Sequence, residues 1–263
     1  MRRAQVFLVT VGSVLVALTG TAAATPKVTL RAEVVPIPGY PHTGLIYGAG
    51  AAVKGEFKIT GTEYENSPPP LKQVTVYLPT GVKLHPAGFP TCPKADLEPA
   101  GPGPSACPKG SAAGPVGEAE GFVTLGGERV KERATIESFY APGGGLEFFT
   151  AGHTPVSLEI LSAGHYKNLG GGGGFGPVFV AEVPLVPSLP GAPFVSVEKI
   201  KVQEGSAIGP KDPKKAIYYG RVPGRKQCPK HYFLAKAVLA FWAVGGLPEQ
   251  TVTVMYHARC PRH

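Results

Sequence analysis

Four cysteines, Cys92, Cys107, Cys228 and Cys260, are the residues of this sequence with the clearest covalent chemistry. Three pairings are open to them. Joining Cys92 to Cys107 and Cys228 to Cys260 closes two short local loops, and this is the pairing we expect. The chain-entropy account assigns each such loop roughly 3 to 4 kcal/mol. Structural zinc sites use close pairs such as C-x2-C, and these cysteines stand too far apart for that, so disulfides are expected and a metal is not. Each cysteine precedes a proline, in Cys92-Pro93, Cys107-Pro108, Cys228-Pro229 and Cys260-Pro261. Proline drives its predecessor into extended backbone, which places the cysteines at strand ends or in extended loops. A paired cysteine offers no thiolate, so none is read as a nucleophile.

His153 and His165 each follow a glycine, and Glu137, Glu147 and Glu159 lie on neighbouring segments. Carboxylates beside a histidine can move protons or hold a metal, provided the strands bring them together. No H-x-H or H-x-x-x-H spacing supports a metal, and none is expected. Ser111 and Ser206 sit in Gly-Ser-Ala contexts without the G-x-S-x-G elbow of serine hydrolases; they read as turn serines. The five glycines 170–174 are followed by Pro177 and a valine-rich segment, not by the helix a phosphate-binding loop needs. No cofactor is expected. Phe148-Phe149, Tyr218-Tyr219 and Phe241-Trp242 are adjacent aromatics. On a strand such a pair sends one ring to each face, so Phe149, Tyr219 and Trp242, with His153 and His165, are the candidate binding residues, for a carbohydrate in particular.

The segments that must position these groups are strands. The sequence holds 36 glycines and 29 prolines, which disfavours long helices. Val74, Val76 and Leu78 alternate with Gln73, Thr75 and Tyr77, and Val252, Val254 and Tyr256 with Thr251, Thr253 and Met255, the period of two of a half-buried strand. Similar runs occur at 27–35, 55–60, 129–139, 146–150, 156–161, 178–186, 194–202 and 216–221. Segment 232–243 is rich in alanine and leucine, which suit a helix, but Phe233, Ala235, Ala237, Leu239 and Phe241 alternate; we read it as a strand. About eleven strands with turn signals between them imply an all-β fold, an antiparallel β-sandwich of jelly-roll-like or related kind with long Gly/Pro-rich loops. The loops are 67–71, 86–117 (with the first disulfide), 170–174 and 184–193. Leu78-Pro79-Thr80-Gly81 reads as a strand end entering a turn.

Met1-Arg2-Arg3, an apolar run over 6–18 and Ala22-Ala23-Ala24 follow the plan of a secretory signal, with cleavage expected after Ala24. The run is too short to span a bilayer. Arg2-Arg3 is also compatible with twin-arginine export. The domain reading is a signal peptide over 1–24 and one β-sandwich domain over 25–263, with no membrane span after cleavage. Net charge is +8, and loss of Arg2 and Arg3 with no acid leaves +6. The basic residues are scattered, which gives no nucleic-acid signature and favours weak attraction to anionic surface polymers.

The stretches Val74-Thr-Val-Tyr-Leu-Pro-Thr-Gly81, Gly88-Phe-Pro-Thr-Cys92 and Cys107-Pro-Lys-Gly-Ser111 resemble an exported, β-rich, disulfide-containing family of actinobacteria. So do Gly126-Gly-Glu-Arg-Val130, Phe139-Tyr-Ala-Pro-Gly-Gly-Gly145, Cys228-Pro229, Leu247-Pro-Glu-Gln-Thr-Val252 and Cys260-Pro261. The shared motifs are turns and disulfide positions, and the resemblance implies export and a β fold without assigning an activity. The expected function is that of a secreted or cell-envelope protein, a non-enzymatic module binding a surface polymer, a carbohydrate or a partner protein. The alternative is a secreted hydrolase acting on an extracellular glycan or ester.

Overall fold

The computed structural model describes residues 24–37, 49–168, 174–208, 217–222 and 232–259. Its strands are β1 (Lys27–Pro36), β2 (Ala49–Thr60), β3 (Leu71–Pro79), β4 (Lys83–Leu84), β5 (Gly117–Leu125), β6 (Glu128–Tyr140), β7 (Leu146–Thr154) and β8 (Leu158–Asn168). They continue as β9 (Phe175–Glu182), β10 (Ser196–Glu204), β11 (Ala207–Ile208), β12 (Ile217–Tyr218), β13 (Gly220–Val222), β14 (Tyr232–Phe241) and β15 (Gln250–Arg259). One short helix, α1 (Lys94–Leu97), and a single 3-10 turn (Pro104–Ala106) lie between β4 and β5. Cys228 and Cys260, the glycines 170–173 and the segment 1–23 fall outside the described residues.

The protein is nearly all β, and the described ladders are antiparallel. The long strands form one sheet in the order β15-β14-β3-β9-β8-β7-β6-β5-β10-β2, with β1 on β2 and the short β13 and β4 beyond. The ladder is continuous, each long strand between the outermost ones being paired on both sides. The sheet curls until β1 and β15, its two ends, lie alongside each other with Cα atoms within 8 Å. No ladder pairing joins the described residues of these two strands.

Alternation dictates which side chains face inward. In β14 the buried positions are Phe233, Ala235, Ala237, Leu239 and Phe241. Pairing with β3 on one side and β15 on the other overrides the helix propensity of its alanines and leucines. Leu30, Phe57, Ile59, Leu71, Val74, Leu239 and Phe241 pack into one cluster of the core, joined by Val252 and Val254 of β15. β5 and β6 are joined through Gly126 and Gly127, both at positive φ (60° and 86°), the backbone that a two-residue hairpin turn requires. β3 ends at Pro79 and turns at Thr80-Gly81, as the sequence implies.

The Cys92–Cys107 disulfide is formed. The segment it closes carries α1 and covers the outer face of β6, β7 and β8, where Phe139, Phe149, Ala151 and Leu161 pack with Cys92 and Leu97. The loop is therefore a lid on a second, smaller core. Cys107 has extended backbone (φ −63°, ψ 139°), as its following proline demands.

On β1, β2, β10, β5 and β6 the outer face carries charges of both signs. Arg31, Glu56, Lys201 and Glu118 form one row across β1, β2, β10 and β5, and Lys58, Lys199, Glu120 and Arg133 line another across β2, β10, β5 and β6. Lys199 Nζ lies 3.0 Å from Glu120 Oε1, and Lys131 Nζ 2.9 Å from Glu198 Oε2. The hydrogen bond from Lys199 holds the Glu120 carboxyl below its ordinary range.

Candidate functional site

The inner face of the curled sheet does not fill completely. Between the cluster around Leu239 and an aromatic group at the other end lies a cavity of about 260 Å³. Small residues on the inward positions create it: Ala32 on β1, Gly55 on β2, Ala119 on β5, Ala181 on β9 and Ala235 on β14 all line it. Leu78, Val76, Phe148, Phe179, Ile200 and Val202 supply much of the remaining wall. The polar lining is sparse: Thr150, Ser162, Tyr166, Glu204, Tyr219, Arg221 and, at the margin, Glu33.

The aromatic end is a chain of touching rings. Ring centroids are 4.5 Å apart for Phe89 and Tyr140, 4.7 Å for Tyr140 and Tyr219, 6.0 Å for Tyr219 and Tyr166, and 4.9 Å for Tyr166 and Phe179. Gly164 makes this possible, since a Cβ there would run into the rings of Phe179 and Phe148. The Tyr140 hydroxyl and Ser206 Oγ are hydrogen-bonded at 2.5 Å. Burial pushes the Tyr140 hydroxyl up to about 12, and raises Tyr166 and Tyr219 above the ordinary tyrosine range.

Glu204 is the exceptional group. It ends β10, opposite Val53 on β2, which in turn faces Val34 on β1, so it sits in an apolar row of the inner face. Both carboxylate oxygens are shielded from solvent and have no hydrogen-bond partner among the described residues. Burial pushes the carboxyl up from 4.5 to about 8, and the Ser138 hydroxyl nearby offsets only part of this. Below that value the group is a neutral acid, able both to donate and to accept.

The structure treats the sequence candidates differently. Phe149 is buried beneath the disulfide loop, and Tyr219 is buried among the aromatic rings; neither presents a ring at the outer surface, as a sugar-stacking role requires. The reason for Phe149 is the lid formed by 92–107, which covers the face that alternation alone would leave exposed. Trp242 is partly buried, with Nε1 donating to the Val183 carbonyl at 3.4 Å and Lys72 Nζ 5.0 Å from the ring centre. His153 and His165 lie at opposite ends of the β7–β8 hairpin, eight positions apart in its register, which is roughly 25 Å. Glu137, Glu147 and Glu159 share the outer face but are paired with Phe149, Phe139 and Ala151, not with one another. Glu147 is buried there, and this raises its carboxyl above the ordinary range. Ser111 is a turn serine whose hydroxyl donates to the Pro108 carbonyl at 2.7 Å. No group of three or more His, Cys, Asp or Glu side chains that could hold a metal occurs among the described residues.

Sequence reasoning missed Glu204, Tyr140, Tyr166 and the cavity itself. A glutamate ending a Val-Gln-Glu segment looks like an ordinary strand terminus, and only the register reveals that it points inward. No helix among the described residues is long and apolar enough to cross a membrane. Comparison of the chain with protein families, with curated proteins and with solved structures finds no match.

Proposed function

We propose that this protein binds a small apolar or amphipathic molecule inside its curled sheet, which we read as a flattened barrel closed by the approach of β1 to β15. The observation that carries this reading is the apolar cavity of about 260 Å³, built from alanines and a glycine on five different strands. Protein interiors normally leave few voids larger than a water, and an unfilled apolar cavity forfeits packing energy. A largely apolar pocket with a few convergent polar groups is the usual form of a small-molecule site. At about 30 Å³ per group, this one holds roughly nine heavy atoms.

The charged outer face supports the same reading over polymer binding. Glutamates interrupt its basic residues, Glu56 and Glu118 in one row and Glu120 in the other, which gives an anionic polymer no continuous basic track. The hydrolase alternative needs a base beside a nucleophile, and His153 and His165 stand apart from each other and on the outer face. We further propose that the protein acts outside the cytoplasm; the signal-like start, the Cys92–Cys107 disulfide and the resemblance to exported actinobacterial proteins support this.

Titration of the purified, oxidised chain with naphthalene, followed by naphthalene fluorescence, tests the proposal. The expected result is one saturable site that is lost in the doubly filled variant Ala119→Leu/Ala181→Leu while its circular dichroism stays that of the wild type. Absence of saturable binding by naphthalene and by C8 to C10 alkanes overturns it. So does binding that persists unchanged in the filled variant.

A further inference from the structure

We infer that the ligand of the cavity is a single-chain amphiphile whose head group donates a hydrogen bond, an alcohol or an amine, and that Glu204 receives that head. This inference rests on the proposed binding function and specifies its ligand. Three observations carry it. First, Glu204 contributes to the cavity wall at the end where the tyrosines gather, while the opposite end is closed by aliphatic and aromatic core residues. The cavity is thus polarised along its length, as an amphiphile is. Second, both Glu204 oxygens are buried and without a donor. A buried acceptor left unsatisfied costs about 1 to 3 kcal/mol, more for a charged group, so a donor brought through the adjoining cavity recovers what the protein leaves unsatisfied. Third, the other carboxylate among the described lining residues, Glu33, is exposed at the margin. Glu204 is therefore the carboxylate acceptor of the interior.

The chemistry distinguishes among head groups. An alcohol donates its proton to a Glu204 oxygen and accepts from the protonated form. An ammonium head donates and also supplies the charge that ionised Glu204 lacks in its apolar row. A carboxylate head can accept from the protonated form but offers the Glu204 oxygens no donor, and it meets a like charge once Glu204 is ionised. A hydrocarbon brings neither donor nor acceptor, so it occupies the cavity on apolar contact alone. The volume suits a chain of about eight carbons.

The experiment is calorimetric titration of the full oxidised chain with 1-octanol, octylamine, octanoate and octane at pH 7, in the wild type and in Glu204→Leu and Glu204→Gln. Octanol and octylamine should bind the wild type about tenfold more tightly than octane, the lower part of the range expected for satisfying one buried group. In Glu204→Leu that preference should fall to less than twofold with octane binding retained, which also shows that the variant is folded. Glu204→Gln keeps a carbonyl acceptor, so octanol should hold its preference and octylamine should lose it. A wild type with no head-group preference, as expected if cavity water alone serves Glu204, overturns the inference. So does a preference that survives in Glu204→Leu. In both cases octane binding leaves the proposed function standing. Failure of all four compounds to bind overturns the proposed function itself.

Discussion

Phe148 and Phe149 are consecutive residues of β7 that belong to two different interiors. Phe148 lines the cavity and meets Phe179 edge to face with ring centroids 5.9 Å apart. Phe149 lies on the other side of the sheet, packed with Cys92, Leu97 and Phe139 beneath the disulfide loop. Two neighbouring aromatic side chains thus report on two separable packing units, one around the cavity and one under the lid.

Phe149→Ala should lower stability by about 3 to 5 kcal/mol and leave naphthalene binding unchanged, because the cavity wall is untouched. Replacing both cysteines of the lid with serine should cost about 2 to 4 kcal/mol. The two changes act on one cluster, so in urea unfolding their combined effect should fall short of the sum by about 1 kcal/mol. Strict additivity would show that the loop does not hold Phe149 in place.

Arg129 ties three segments together. Its guanidinium donates to Ser67 Oγ at 2.7 Å, Ser196 Oγ at 2.6 Å, the Phe194 carbonyl at 3.0 Å and Thr124 Oγ1 at 3.2 Å, and it lies 5.6 Å from the Tyr64 ring centre. Arg129→Met should destabilise by about 3 kcal/mol, since several buried acceptors lose their donor together. Arg129→Lys should recover little, because an ammonium cannot span partners arranged around a planar fork. Urea midpoints at constant slope are the check.

Glu204 gives stability a definite pH dependence. Its carboxyl titrates near 8 when folded against 4.5 when exposed, so between those values the folded chain holds a proton that the unfolded chain has released. Stability contributed by this group is full below about 4.5 and is lost as pH rises through about 8. Glu147, also raised by burial, acts in the same direction. Thermal unfolding across pH 4 to 9 should therefore show a falling midpoint, and Glu204→Gln should flatten most of the fall. A variant with an unchanged slope would refute the assignment.

Three of the ten tyrosines should resist ionisation. Tyr140, Tyr166 and Tyr219 are raised by burial, so spectrophotometric titration should leave them protonated past pH 11 until the chain unfolds. Tyr140→Phe, which removes the hydrogen bond to Ser206, should cost about 1 kcal/mol and reduce the resistant set by one.

The strands with alternating apolar residues, such as β3 and β14, could be read from the sequence because alternation and burial are the same fact seen from two sides. β5 could not. It opens Gly117-Glu-Ala-Glu-Gly121, with no apolar period to mark it. Gly121 is there because a Cβ would strike the Ser196 carbonyl of β10, a close approach between strands distant in sequence. The disulfide between Cys92 and Cys107 followed from local spacing, but the lid it makes over Phe149 did not. The cavity was hidden for a general reason. It consists of side-chain volume missing at Ala32, Gly55, Ala119, Ala181 and Ala235, and one small residue on a strand carries no signal until five strands are brought face to face.

Among the described residues, the line where β1 meets β15 is the place around the curled sheet where neighbouring long strands share no ladder. Parting them separates strands whose Val28 and Ala32, on β1, and Val252 and Val254, on β15, pack against one apolar cluster, but breaks no backbone ladder. The amides facing that line lie outside any ladder, so they should exchange with deuterium far sooner than those of β7 or β8, which are paired on both sides. The weak axis of the molecule runs along its strands, and the interior can be reached by unzipping a seam instead of unfolding a sheet.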